Sequence, residues 1–127
     1  MKTEARSEAL GILYAADSRS LDEPDVAGSS NRVTTLTNGV WGNREKIDLA
    51  IEEASTSWRM DRMAVVDRNI LRIASYELIF TDLSAAIIIS EAVELAKEYS
   101  TSGSGAFING VLSGVAASCR TSDDDES

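Results

Sequence analysis

Few side chains in this sequence have the types and spacing that covalent chemistry requires. Glu91 and Glu94 lie one helical turn apart and are the best pair for acid/base work. No third group accompanies them, so an ion-paired helix face is the better interpretation. The 127 residues contain no histidine and a single cysteine, Cys119, which excludes Ser-His-Asp triads, Cys-His dyads and the common His or Cys metal sites. We therefore predict a protein that is not an enzyme and needs no metal or cofactor.

A glycine-rich segment, GSGAFINGV at residues 103–111, contains the G-x-G spacing of some phosphate-binding loops. Such loops follow a β-strand and open a helix. Here the segment follows a loop between two predicted helices, so it lacks that context. We interpret it as the start of a final helix that carries Phe107 on its apolar side.

Arg72 is a charged side chain within an apolar run and requires a partner. A guanidinium beside a core must be paired or must reach the surface. Glu91 or Glu94 on the following helix is the expected partner. Arg68, Arg72 and Ser75 are spaced by four and three residues, so they form one narrow ridge that faces either solvent or a buried acid.

The element that positions these residues is the run DRMAVVDRNILRIASYELIF, residues 61–80. Drawn as a helix, it is apolar around most of its circumference. Such a helix must be surrounded by others, so we predict that it is the central rod of the domain, with Asp61 as its N-cap. Periodic apolar positions predict further helices, and no alternating strand pattern occurs. The expected fold class is all-α, a single-domain bundle of about five to seven helices.

The N-terminal part predicts one helix and a loop. Residues 4–16 have a helical spacing of apolar positions, and the residues on the apolar face are Ala5, Ala9, Ile12, Leu13 and Ala16. Arg6 lies on another face among Glu4 and Glu8, and we expect that face to be solvated. Residues 17–30 are polar, contain the only proline and predict a loop.

The next segment, residues 32–57, keeps one apolar phase across Gly39 and Gly42. A glycine inside a helix costs about 1 kcal/mol relative to alanine. Two interpretations stay open: one long helix, or two nearly coaxial helices that meet at residues 41–43. In either case we expect Trp58 to close the end of this segment against the central rod.

Composition limits the location and the class of the protein. Hydrophobic residues make up 43% of the chain, and no run approaches the roughly 20 apolar residues of a membrane span. A cytoplasmic location and no membrane partner are therefore expected, and the single cysteine agrees with a reducing compartment. The net charge of −9 argues mildly against strong non-specific nucleic-acid binding. We predict one helical domain over residues 1–119 and a disordered acidic tail over residues 120–127.

Three separated motifs carry a resemblance to a known family. They are WRMDRMAVVDRNILRIASYEL from Trp58, ISEAVELAKEY from Ile89 and AFINGVL from Ala106. With EALGILYAAD in the first helix and NGVWGNREKID from Asn38, they closely resemble the NusB family of bacterial transcription antitermination factors. The resemblance covers about residues 4–115 of the 127. It implies two small helical sub-bundles, a cytoplasmic location and no catalytic activity.

The resemblance also implies partners. Members of this family bind the boxA element of nascent single-stranded RNA together with NusE, which is also a small-subunit ribosomal protein. The complex keeps RNA polymerase processive during ribosomal RNA transcription. Family members occur as monomers and as dimers, so a homodimer is a further possibility for this chain.

Site residues follow from matching the motifs. Tyr14 and Asp67 fall at positions where the family contacts NusE. The positions implied to contact RNA are Lys2, Arg6, Arg72, Tyr99 and Phe107. Aromatic stacking and cations near phosphates are the usual means of holding single-stranded RNA. For Phe107, a plain core position is an equally good interpretation.

The sequence departs from the family pattern in two places. The arginine-rich N-terminal arm is reduced to Lys2 and Arg6, and Ala106 stands where the family commonly has a lysine. Each lost phosphate contact weakens RNA binding and lowers its salt dependence. We expect weak RNA affinity in isolation, with the basic NusE supplying charge. The alternative is a protein–protein interaction module of the same fold with little or no RNA binding.

Overall fold

The computed structural model describes residues 2–56 and 58–120, and within these ranges the chain forms helices and no strand. The α-helices are α1 (Lys2–Ser18), α2 (Asn31–Gly42), α3 (Arg44–Ala54), α4 (Val65–Phe80), α5 (Ala85–Tyr99) and α6 (Ser104–Cys119). A short 3-10 turn, Met60–Arg62, precedes α4. The predicted all-α fold class is confirmed.

The helix α4 is the centre of the bundle. It packs against each of the other five α-helices of the described ranges. Ile70, Leu71 and Ile73 are almost completely buried, together with Leu78. α1 and α2 pack with α4 as one group, while α3, α5 and α6 pack with it as a second. The predicted central rod and the two sub-bundles therefore share one helix.

The central helix begins later than the sequence predicts. Ala64 occupies the N-cap position of α4 and makes no side-chain cap, while Asp61 lies in the 3-10 turn and is exposed. The expected N-cap role of Asp61 is wrong. Met60 and Met63 are both buried, and Met63 has an extended backbone. Anchoring these two side chains in the core interrupts the helix between them and Val65.

The segment after the first loop consists of two helices, which resolves the alternatives left open above. The break falls at Asn43, which has a non-helical backbone and whose side-chain amide donates to the Gly39 carbonyl at 2.8 Å. Gly39 itself stays inside α2. A Cβ atom at that position would lie 2.5 Å from the Tyr76 ring on α4. The glycine therefore allows α2 to approach α4 closely.

The C-terminal end of the described chain packs against the end of α4. Arg120, the last described residue, donates from Nε to the Leu78 carbonyl at 3.1 Å and from Nη2 to the Thr81 carbonyl at 2.9 Å. It thereby caps the C-terminus of α4. Arg120 is the first residue of the tail predicted over residues 120–127, and the remaining residues 121–127 lie outside the described part of the chain. None of the described helices has both the length and the apolar character of a membrane span.

Candidate functional site

Arg6 lies inside the bundle, at the contact between α1 and α4. Its Nε donates to Glu77 Oε1 at 2.8 Å, its Nη2 donates to Glu77 Oε2 at 2.9 Å, and only 4% of the residue is exposed. Its Nη1 lies 3.9 Å from Glu91. The expectation of a solvated face is wrong for this residue. The buried stripe of Ala5 and Ala9 turns α1 so that Arg6 meets the acid of α4.

Arg72 is also paired internally. Its Nε and Nη2 both donate to the Asp48 carboxylate of α3 at 2.9 Å, and its Nη1 donates to Asp17 of α1 at 3.1 Å. The expected partners Glu91 and Glu94 are wrong, because this face of α4 packs against α1 and α3. Of the two settings left open for the ridge, Arg68 and Arg72 have the acid-facing one, and the acids that they meet, Asp17 and Asp48, are partly buried.

Asp17 connects this network to the end of α1. It accepts from Arg68 at 2.7 and 2.8 Å and from the Asn69 amide at 2.9 Å. Burial raises the pKa of Asp17, but the hydrogen bonds from Arg68 and Asn69 and the charges of Arg72 and Arg68 outweigh it, so the pKa lies below its ordinary value. The hydrogen bond to Asp17 raises the pKa of Arg68. These groups therefore hold α1, α3 and α4 together, and the positive charges of the two arginines are paired with the negative charges of Asp17 and Asp48.

Two exposed tyrosines form an aromatic surface. Tyr14 on α1 is 43% exposed and Tyr99 at the end of α5 is 47% exposed. The Tyr99 hydroxyl lies 2.7 Å from the Ser7 hydroxyl, within hydrogen-bond distance. We call the space between them the tyrosine hollow; it encloses about 270 Å³ and is lined by Ser7, Leu10, Gly11, Tyr14, Val66 and Tyr99.

Acidic residues stand next to the tyrosine hollow. A shallower depression adjoins it at Ser7 and Tyr99, and its other lining residues are Glu4, Glu8 and Glu98. Carboxylates repel phosphates and attract cationic side chains. This surface is therefore better suited to a basic protein than to an RNA backbone. The side chain of Lys2 lies outside the described part of the structure.

Asp67 is buried beneath the loop before α6. Its Oδ1 accepts from the Ser100 hydroxyl at 2.6 Å and its Oδ2 accepts from the Ser104 hydroxyl at 3.0 Å. The carboxylate thus ties α4 to both ends of the loop that connects α5 and α6. In this arrangement Asp67 shapes a surface through the loop, since only 8% of the residue is exposed.

Phe107 lies on the same side of the molecule as this loop. It is half-buried, packs against the core and also lines a cleft of about 320 Å³. Phe107 therefore has features of both predicted roles: it packs against the core, and part of it faces a cleft that a ligand could enter. We call this space the Trp58 cleft; the lining residues used below are Trp58, Arg62, Asp67, Thr101, Ser102 and Phe107.

Trp58 and Arg62 were not among the sequence-derived site residues. Trp58 is 50% exposed, so the expectation that it closes α3 against the central rod is wrong. The buried Met60 and Met63 fill that position instead. The available signal was the run WRMDRM itself, in which aromatic and basic residues alternate with the two anchoring methionines.

Comparison with known proteins decides the family. The NusB family model matches residues 3–117 of the chain. The chain belongs to the NusB family. A relative from Anaeromyxobacter dehalogenans is 43% identical over 128 residues, which cover 91% of this chain and 90% of the relative. One from Acidothermus cellulolyticus is 41% identical, with 94% and 90% covered. Both carry the name transcription antitermination protein NusB.

Solved structures of NusB share the fold. NusB of T. maritima superposes with a TM-score of 0.86 at 29% identity, over 100% of this chain and 98% of that one. A chain in a crystal structure of the antitermination factors NusB and NusE with double-stranded RNA gives a TM-score of 0.78 at 27% identity, over 92% and 96%. The named NusB relatives are transcription antitermination proteins. The site residues above therefore lie on the surfaces and in the interior of a NusB fold.

Proposed function

We propose that this chain is a cytoplasmic transcription antitermination factor that binds boxA-type single-stranded RNA together with NusE, as part of an RNA polymerase antitermination complex active in ribosomal RNA transcription. The observation that carries the NusE and RNA part of this proposal is the similarity, over 92% of this chain, to a chain solved in a complex of NusB and NusE with double-stranded RNA. The single-stranded, boxA-type target is what the family resemblance implies. The relatives that are 41% and 43% identical and named for antitermination support the same role.

The charges around the tyrosine hollow support its use as the surface that binds the protein partner. The tyrosine hollow combines Tyr14 and Tyr99 with a neighbouring acidic depression, so it suits a basic protein such as the proposed NusE partner. Tyrosine is a frequent anchor of protein interfaces because it brings a large apolar ring and a polar hydroxyl. RNA is then held by the combined surface of the two proteins, and affinity for RNA alone is weak.

A second function has one specific observation in its favour. Arg6 and Arg72, two of the cations implied to contact RNA, are instead held in internal ion pairs. A chain whose cations are occupied in this way suits a protein–protein interaction module of the same fold with little or no RNA binding. The two functions differ in whether RNA sequence affects assembly.

The test is a titration of boxA-type RNA into the protein, with and without NusE, at two salt concentrations. Antitermination predicts weak binding by the protein alone, clear enhancement by NusE and discrimination against a scrambled RNA of equal length. Equal affinity for boxA-type and scrambled RNA in the presence of NusE supports the interaction module. No binding of either RNA under any of these conditions contradicts the antitermination proposal.

A matched pair of variants tests the partner surface. Tyr14→Ala removes an exposed ring from the tyrosine hollow, and Leu49→Ala removes an exposed apolar side chain from α3. A central aromatic contact typically contributes about 2 kcal/mol or more, so Tyr14→Ala is expected to weaken NusE binding about 30-fold or more. Leu49→Ala is expected to leave it unchanged. Equal effects of the two substitutions contradict the assignment of Tyr14 to the partner surface.

A further inference from the structure

We propose that the Trp58 cleft is a subsite for one nucleotide of single-stranded RNA, in which the base stacks on Trp58 and Phe107 and the phosphate lies against Arg62. This inference rests on the proposed RNA-binding function and assigns part of it to residues of this chain. It places the RNA contact at the junction of the 3-10 turn and the loop before α6, on α4's N-terminal side.

Most cations of the described residues are already occupied. Ion pairs hold Arg6, Arg68 and Arg72, while Arg44 lies over the Trp41 ring. The arginines that are exposed and have no hydrogen bond or ion pair from their side chains within the described ranges are Arg19, Arg32, Arg59 and Arg62. Two of these four lie close together in sequence, at the 3-10 turn, and Arg62 lines a cleft with aromatic residues. At the Trp58 cleft, an exposed arginine without a partner in the described ranges and two aromatic side chains therefore lie together.

The lining of the cleft fits the chemistry of a nucleotide. Trp58 offers a half-exposed ring and Phe107 a partly exposed one, and bases stack on aromatic side chains with little dependence on their identity. Thr101 and Ser102 line the same cleft, and hydroxyl side chains of this kind can hydrogen-bond a base edge or the 2′-hydroxyl that distinguishes RNA. A volume of about 320 Å³ is at the small end of ligand sites, which span about 300–1,000 Å³.

One wall of the cleft is held in place by hydrogen bonds from α3 and α4. The Ser55 hydroxyl donates to the Trp58 carbonyl at 2.8 Å and accepts from the Trp58 amide at 3.2 Å. Glu52 accepts from the Met60 amide at 2.9 Å, and Arg68 donates to the Met60 carbonyl at 3.2 Å. The backbone that carries Trp58 and Arg62 is therefore ordered before a ligand arrives, which lowers the entropy cost of binding.

The other wall is held by Asp67. Because its two oxygens accept from Ser100 and Ser104, the carboxylate fixes both ends of the loop that contributes Thr101 and Ser102. Asp67 is thus a positioning residue for the RNA subsite, and two hydroxyl donors face its negative charge. Asp61, an exposed acid, precedes Arg62 in the 3-10 turn.

Charge separates this cleft from the tyrosine hollow. The hollow adjoins a depression lined by three glutamates, whereas the Trp58 cleft carries Arg62 in its wall and Arg59 one turn before it. A polyanion is attracted to the second surface and repelled by the first. Single-stranded RNA is therefore the occupant to which the geometry of the Trp58 cleft points.

The experiment follows the fluorescence of Trp58. The chain has two tryptophans, so a Trp41→Phe background leaves Trp58 as the only one. Titration with a boxA-type single-stranded RNA, in the presence of NusE, is expected to quench this fluorescence because a stacked base covers the ring. The same sequence presented as a duplex is expected to give less quenching, because its bases are already stacked and paired.

Substitutions then separate the base contact from the phosphate contact. Trp58→Ala is expected to weaken RNA binding about 5- to 150-fold, and Trp58→Phe to retain most of the affinity. Arg62→Gln is expected to weaken binding and to reduce the slope of log affinity against log salt by about 0.7. The matched control is Arg32→Gln, which removes another exposed arginine, on α2. Circular dichroism confirms that each variant is folded.

Three results would overturn the assignment, and they can be told apart. RNA binding without quenching, and without an effect of Trp58→Ala or Arg62→Gln, places the RNA elsewhere and leaves the proposed antitermination function intact. Quenching by NusE in the absence of RNA identifies a protein as the occupant of the cleft. Failure of the unsubstituted protein to bind RNA, with or without NusE, rejects both this subsite and the proposed RNA-binding function.

Discussion

Arg6 and Glu77 are separated by 71 positions in sequence and form a two-pronged ion pair between α1 and α4, with N–O distances of 2.8 and 2.9 Å. Both side chains are less than a tenth exposed. This pair joins the N-terminal helix to the central one. It also changes the expected role of Arg6, from a surface cation near RNA to an interior group that holds two helices together.

The first prediction concerns the stability of this pair. Arg6→Met leaves the Glu77 carboxylate buried without its partner, and removing one member of a buried ion pair typically costs about 3–5 kcal/mol. We expect a loss of this size in the free energy of unfolding, measured by urea denaturation. Replacing both groups, as Arg6→Met with Glu77→Leu, is expected to recover most of it.

The control for the pair is Glu8→Gln, an exposed change on the same helix, which should alter the free energy of unfolding by no more than about 0.5 kcal/mol. If Arg6→Met has as small an effect as this control, the ion pair does not hold α1 in solution. RNA binding by Arg6→Met should be compared only at temperatures where the variant is folded.

The second prediction concerns pH. The pKa of Asp17 lies below its ordinary value of 3.8 in the folded protein, so its carboxylate stabilises the fold above that value. The contribution is lost as the pH falls through the lower, folded-state pKa. Asp17→Asn is therefore expected to reduce the free energy of unfolding at neutral pH, and the difference from the unsubstituted protein should narrow below about pH 4.

Urea denaturation at several pH values between 7 and 3 provides the measurement. Glu53→Gln, an exposed change on α3, is the control and should give a small difference at every pH. A difference for Asp17→Asn that is as large at pH 3 as at pH 7 would show that the effect does not come from the ionised carboxylate.

The third prediction concerns the loop that Asp67 holds. Asp67→Ala removes the acceptor for the hydroxyls of Ser100 and Ser104, so the backbone amides of residues 101–105 should exchange with deuterium faster. The helix core around Ile70 should keep its protection. Hydrogen exchange with mass spectrometry resolves the two segments.

Asp61→Ala is the matched control for the loop, because it removes an exposed acid from the neighbouring 3-10 turn. It should leave exchange in residues 101–105 unchanged. Uniformly faster exchange throughout the bundle after Asp67→Ala would instead indicate a general loss of stability, with no particular role in positioning the loop.

The fourth prediction tests a close approach of two helices. Alanine is favoured over glycine in a helix by about 1 kcal/mol, but a Cβ at Gly39 would lie 2.5 Å from the Tyr76 ring. We expect Gly39→Ala to lower the free energy of unfolding by about 1–3 kcal/mol through overpacking. Gly110→Ala, on an exposed part of α6 with no neighbouring atom within 4 Å, should raise it by about 0.5–1 kcal/mol.

Thermal denaturation of both glycine variants gives the answer directly, since the two expected shifts have opposite signs. A rise in melting temperature for Gly39→Ala would mean that Tyr76 moves aside at little cost. In that case the glycine does not set the distance between α2 and α4.

The central helix could be predicted from sequence because its information is local. Apolar residues around most of the circumference of a helix require neighbours on every side, and α4 does pack against the other five described α-helices. The sequence predicts the beginning of that helix too early. The apolar pattern does not show that Met60 and Met63 are both buried in the core, where they interrupt the helix before Val65.

The ion-pair partners of the buried arginines could not be predicted from helical periodicity. Periodicity indicates which face of a helix is apolar, but it does not tell which acid of which other helix will meet Arg6 or Arg72. These pairs span 71 and 55 positions for Arg6–Glu77 and Arg72–Asp17. They form only when several helices have taken their final rotations about α4.

The sequence alone thus determined the all-helical class, the central helix and the family motifs, because these depend on residue order and helical periodicity. The tertiary structure alone decided which charges remain available. It placed Arg6 and Arg72 in the interior, where burial favours pairing with acids, and it left Arg62 exposed beside Trp58. The location of a binding surface depends on this division, because a charge already neutralised inside the fold cannot also attract a ligand.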